Sequence, residues 1–160
     1  MGLDAVAGPM ARASRRAARP ETRGGRPNAL FVVAGIEAPP AELFGRADLV
    51  TVRFPWGSLL RGVLGLDPRA QAGLASLVRP GGAVEALVSI EERDGLGDLG
   101  QWRTDGGLVV SWSECGFALE EIRPAQPSEV AGSGSSWARR LGALSADGRR
   151  VTRLRLCRLP

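Results

Sequence analysis

Ala47-Asp48-Leu49-Val50-Thr51-Val52-Arg53-Phe54-Pro55-Trp56-Gly57-Ser58-Leu59-Leu60 changes its hydrophobic rhythm half-way along. Residues 47–54 form a short apolar run rich in β-branched side chains, the pattern of a strand buried on both faces. Pro55 and Gly57 break that run, and from 56 to 64 the apolar spacing becomes helical. The run from Ala29 to Ala34 (ALFVVA) reads as an earlier strand of the same kind, with Pro39, Pro40 and a short helical turn in between. Downstream the chain predicts a helix over 67–78, a strand over 83–90 after Pro80-Gly81-Gly82, and a helix over 108–114. A strand over 117–122, a short helix over 137–144 and a half-buried final strand over 151–159 follow. Strands alternating with helices predict an α/β fold with a mostly parallel sheet. Ligands of such sheets bind beyond the carboxyl ends of the strands, which is where residues 53–58 fall.

A chain of 160 residues fits one domain that buries roughly 70% of its extended surface. Apolar residues make up 44%, yet no run approaches the roughly 20 residues a membrane-spanning helix requires, so a cytoplasmic, monomeric protein is expected. There is no histidine. That removes the commonest general base, the commonest zinc ligand and every Ser-His or Cys-His nucleophile pair, so most hydrolase chemistry is excluded. Cys115 and Cys157 lie in no metal-ligand spacing and read as small apolar residues; no metal site is expected.

All 21 basic residues are arginine. Residues 10–26 carry Arg12, Arg15, Arg16, Arg19, Arg23 and Arg26 against Glu21 alone, and residues 137–160 carry seven arginines against Asp147 alone. The rest of the chain is net negative, so positive charge is concentrated where a polyanion can be engaged. Two solvated faces in an arginine-biased sequence would give the same count. Val6, Met10, Ala13 and Ala17 recur at helical spacing opposite these arginines, which predicts an amphipathic helix opened near Pro9 and closed by Pro20. Residues 91–107 are rich in Gly and Asp and read as loop or short helix. Residues 124–136, with prolines, glycines and serines, read as a mobile loop.

Two segments stand out: Arg53 to Leu60, and Ser135-Ser136-Trp137-Ala138-Arg139-Arg140-Leu141. In order and spacing they resemble the adenine-N1 methyltransferases of the 16S rRNA decoding site that confer aminoglycoside resistance, of the kanamycin/apramycin-resistance type. The likeness extends to Gly2-Leu3-Asp4, the Arg-rich helix and Phe31-Val32-Val33-Ala34 followed by Glu37; it weakens over 91–112 and returns from Cys115 to Leu141. It implies a Rossmann-like class I methyltransferase using S-adenosyl-L-methionine, with 16S rRNA in the 30S ribosomal subunit as partner. By this resemblance Asp4 would hold the cofactor's ribose hydroxyls, and Ile36 and Glu37 would flank its adenine. Arg53, Phe54, Pro55, Trp56, Gly57 and Ser58 would pass under its methionine portion, with Ser135 contacting it too. Trp56 and Trp137 would sandwich the flipped target adenine, and Arg12, Arg15, Arg16, Arg19, Arg23 and Arg139 would hold RNA phosphates.

The missing histidine fits such a reaction, because adenine N1 carries its own lone pair and needs no base to generate it; alignment is the main requirement. Extracting the base costs stacking that two facing indoles offset at roughly 1 to 3 kcal/mol per base. Met1 stands directly before Gly2-Leu3-Asp4, where the family's second strand would already be ending. The resemblance therefore implies a partial domain over 1–160, lacking the first strand, the Gly-rich turn and the first helix, with weak or no cofactor binding by the chain alone. A non-catalytic RNA-binding module and a small-molecule methyltransferase are the two alternative readings.

Overall fold

The computed structural model describes residues 1–90, 94–96, 106–134 and 150–160. The chain runs β1 (Gly2–Asp4), α1 (Ala7–Ala17), β2 (Phe31–Val33), β3 (Ala47–Arg53), α2 (Gly57–Val63), α3 (Pro68–Leu77), β4 (Val78–Val88), α4 (Gly107–Glu114), β5 (Phe117–Pro124), α5 (Pro127–Gly132) and β6 (Thr152–Arg158). β1 and β2 pair in parallel as a small two-stranded sheet, with α1 packed on it. The larger sheet has the order β3-β4-β6-β5, parallel between β3 and β4 and antiparallel on both sides of β6.

Alternation along the strands divides the larger sheet into an apolar and a charged face. Val52, Val84, Ala86, Val88, Leu154 and Leu156 are buried on one face with Leu60, Val63, Leu74, Leu108 and Trp112 of the helices. The Trp112 ring meets Phe117 edge-on, with centroids 5.1 Å apart, and its Nε1 donates to the Val63 carbonyl at 2.9 Å. This ties α4 to the end of α2 with the indole's one polar group satisfied. The opposite face carries Glu85, Arg153, Arg155, Glu121 and Arg123, joined by ion pairs such as Arg153 Nε to Glu121 at 2.9 Å.

The helices over 67–78 and 108–114 form as their sequences predict. Asp67 caps α3 by accepting from the amides of Arg69 and Ala70, both at 3.1 Å, and Pro68 occupies the first helical position; both devices use groups that a helix start leaves unpaired. The final strand is half-buried as expected.

Four expectations are corrected. β2 and β3 are not buried on both faces: Val33 is 53% exposed and Leu49 47%, because each is an edge strand of its sheet. Pro80-Gly81-Gly82 does not precede a strand but sits inside β4 as a bulge, the register jumping from Ala47↔Val78 to Leu49↔Ala83. A Cβ on Gly82 would stand 2.9 Å from the Asp48 carbonyl oxygen, so the close approach of the two strands there requires glycine. Within 124–136, residues 127–132 form α5, whose capping box between Gln126 and Glu129 outweighs the loop-like composition. Val6 precedes α1 and is 53% exposed, so the buried side of that helix begins at Met10. The expected helix over 137–144 lies outside the described residues.

Candidate functional site

The parallel strands β1, β2, β3 and β4 deliver four segments at their carboxyl ends. Asp4 closes β1; its Oδ1 accepts from the Val6 amide at 2.8 Å, and its backbone carbonyl accepts from Ala34 at 3.1 Å. Its other carboxylate oxygen has no hydrogen-bond partner among the described residues. Ile36 and Glu37 follow β2. Ile36 is buried, its carbonyl fixed beside Gly73 of α3 so tightly that a Cβ there would overlap it. Ser58 holds the Glu37 carboxylate below the usual glutamate range.

Residues 53–58 leave the end of β3 in a sharp turn. Phe54 stays in the ladder by donating its amide to the Leu87 carbonyl at 2.8 Å, yet its φ is +52°, a left-handed conformation that side chains with a Cβ disfavour. Pro55 is buried, and Gly57, at φ +59°, opens α2. Trp56, at the N-cap position, is 75% exposed. An indole so far out of the core is not held there by packing, which is what a ligand-facing aromatic requires. Arg53 is half-buried and lines a cleft of about 250 Å³ with Glu85, Leu87, Glu129, Gly132, Ser133 and Arg153. It makes no ion pair with any described residue, whereas Arg153 across the cleft is paired to three glutamates.

At the end of β4, Ser89 is 8% exposed and its hydroxyl has no partner among the described residues. A buried hydroxyl left unmatched is uncommon in folded proteins. Cys115 and Cys157 are unpaired, and both thiols are pushed up, Cys115 by burial and Cys157 by Glu120 and by burial. Neither is poised as a nucleophile. No group of metal-ligating side chains occurs among the described residues.

This geometry has counterparts in known proteins. Residues 1–155 match the model of the NpmA family, described as 16S rRNA (adenine(1408)-N(1))-methyltransferase. The chain belongs to this family. A methyltransferase of the same description from Streptoalloteichus tenebrarius is 36% identical over 148 residues, covering 88% of this chain and 68% of the relative. The crystal structure of the 16S rRNA methyltransferase KamB superposes with a TM-score of 0.82 at 35% identity, over 99% of this chain and 75% of that one. A mutant of the 16S rRNA (adenine(1408)-N(1))-methyltransferase from Catenulisporales acidiphilia, crystallised with cosubstrate SAM, gives 0.84 at 32% identity, over 99% and 74%. The fold is thus the methyltransferase α/β fold that the sequence resemblance implied.

Within the family fold, Asp4, Ile36, Glu37 and the Arg53–Ser58 turn all lie at strand carboxyl ends, and Ser58 lowers the pKa of Glu37. Arg12, Arg15, Arg16, Arg19 and Arg23 are exposed on and just after α1, without an ion pair to any described residue. Ser135, Trp137 and Arg139 lie outside the described residues. Sequence reading missed Ser89, whose orphaned hydroxyl is visible only once burial is known, and missed Glu129, although its capping-box spacing from Gln126 is legible in the sequence.

Proposed function

We propose that this chain carries the methyl-transfer reaction of its family: transfer from S-adenosylmethionine to N1 of adenine 1408 of 16S rRNA in the 30S subunit, the site named for its relatives. Aminoglycoside resistance would follow from it. The observation that carries this reading is the placement of Asp4, Glu37 and the Phe54-Pro55-Trp56-Gly57 turn at the carboxyl ends of β1, β2 and β3, each a parallel-paired strand, in a chain of this family. We further assign Trp56 and Trp137 to the target-base sandwich, Ser135 to the cofactor, and Arg12, Arg15, Arg16, Arg19, Arg23 and Arg139 to RNA phosphates. A monomer acting in the cytoplasm accords with these roles.

The residues present fit the cofactor. Asp4 offers to vicinal hydroxyls a carboxylate oxygen that has no partner among the described residues, and the Ser89 hydroxyl at the end of β4 is likewise unmatched among them. When bound, S-adenosylmethionine supplies an electrophilic methyl on a positively charged sulfur. Trp56, exposed at the rim, supports the extruded adenine by stacking, and sequence-independent contacts from the arginines of α1 set the register on the RNA. Adenine N1 uses its own lone pair as the N–C bond forms and the C–S bond breaks, so no side chain has to remove a proton. Recognition of one adenine in a folded subunit rests on shape more than on base edges.

The test is transfer of labelled methyl to purified 30S subunits, with the modified nucleotide located by primer extension. A stop at adenine 1408 that disappears in Trp56→Ala, while cofactor binding persists, is the expected result. Labelling at another nucleotide, or none under conditions where a relative labels fully, would overturn the proposal.

A further inference from the structure

Phe54 is 6% exposed, and its ring packs with Leu87, Val130 and Val151 in a small cluster separate from the main core. Among the described residues it is the one non-glycine with a positive φ. A disfavoured backbone conformation persists only where its surroundings over-determine it, and here those surroundings come partly from α5.

A helix of six residues has no stability of its own. What fixes α5 to the charged face of the sheet is Glu129. Its Oε1 accepts from Arg123 Nη2 at 2.7 Å and from Arg153 Nη1 at 2.6 Å; its Oε2 accepts from Arg123 Nη1 at 2.8 Å and from the Gln126 amide at 2.7 Å. Paired, charge-assisted bonds of this kind fix orientation as well as distance. The residue after Glu129 is Val130, which is buried in the same cluster as the Phe54 ring. Glu129 therefore determines where Val130 stands, Val130 confines Phe54, and the backbone of Phe54 sets the direction in which Pro55, Trp56 and Gly57 leave the sheet.

We propose that Glu129 is a positioning residue for the Trp56 turn, acting through Val130 and Phe54, so that the clamp on α5 determines how Trp56 and Ser58 are presented at the strand ends. The positional coupling stands on the geometry alone; its consequence for the cofactor rests on the function proposed above.

The experiment labels the full chain with 5-fluorotryptophan and reads 19F resonances, each assigned by replacing its tryptophan with phenylalanine. Trp112, buried in the main core, is the internal control for general loosening. Glu129→Gln is expected to move or broaden the Trp56 resonance and leave that of Trp112 in place. In a Phe54→Leu background the same substitution is expected to add nothing at Trp56; should Phe54→Leu not fold, Val130→Ala serves as the second member of the cycle. An unmoved Trp56 resonance, equal displacement of both resonances, or an undiminished effect in the second background would overturn the proposal. Calorimetric titration with S-adenosylmethionine is expected to give roughly fivefold weaker binding in Glu129→Gln, within the usual range for coupling through packed side chains. If neither parent nor variant binds the cofactor, the function proposed for this chain by itself fails, while the 19F displacements still decide the coupling.

Discussion

Ser58, in the first turn of α2, holds the Glu37 carboxylate of the loop after β2 below the usual glutamate range. This interaction predicts a pH effect of definite sign. Glu37 titrates lower in the folded chain than in the unfolded one. The interaction therefore contributes stability that is fully present above the ordinary glutamate value of about 4.3 and is lost as pH falls through the lower folded value. Ser58→Ala should raise the Glu37 pKa toward the ordinary range in an NMR titration. It should also leave urea midpoints less sensitive to acid than those of the parent.

Gly57 has open space where a Cβ would stand, yet its φ is +59°. Gly57→Ala should cost roughly 1 kcal/mol, the usual penalty for placing an L side chain in the left-handed region, and Gly57→Asn less. Chemical denaturation separates the two; equal costs would show that the turn relaxes to a negative φ.

Trp112 and Trp56 bracket the range of tryptophan environments. Trp112 is fully buried with its Nε1 bonded to Val63, and Trp56 is 75% exposed. Trp112→Ala should destabilise the chain by about 3 to 5 kcal/mol, and Trp56→Ala by no more than about 0.5 kcal/mol. Denaturation midpoints check both, and a large loss in Trp56→Ala would argue that the exposed indole serves packing.

The arginines of α1 face solvent, unpaired among the described residues. Changing Arg12, Arg16 and Arg19 to glutamate should weaken binding to ribosomal RNA and lower the slope of log affinity against log salt by about 2 to 3, at roughly 0.7 to 0.9 for each phosphate no longer neutralised. An unchanged slope would place the RNA elsewhere.

Much of this architecture is legible in the sequence. Asp67-Pro68 announces α3, Gly116 precedes β5, and the break at Pro55-Trp56-Gly57 marks where β3 gives way to α2, because each is a local signal with a local cause. Burial of β2 and β3 is not legible, since whether Val33 and Leu49 face solvent depends on which strand lies beside them, and composition carries no record of neighbours. The bulge at Gly81-Gly82 escapes notice for a related reason: Pro-Gly-Gly is turn chemistry unless a parallel partner approaches closely enough to hold it in register. At the site, Asp4, Glu37 and residues 53–58 are reachable through their resemblance to a family. Ser89 is not, because a serine becomes informative only when its hydroxyl is enclosed and unmatched.

The division of the strands into a pair and a quartet has a kinetic corollary. Asp4 and Glu37 are carried on the pair, whose two strands of three residues each and single helix enclose little beyond Ala17. The quartet holds almost all of the large enclosed side chains. Amides of residues 2–33 should therefore exchange with deuterium through openings far smaller than global unfolding. A ligand that bridges Asp4 and the turn at Trp56 would slow that exchange, making protection of the amino-terminal segment a direct gauge of site occupancy.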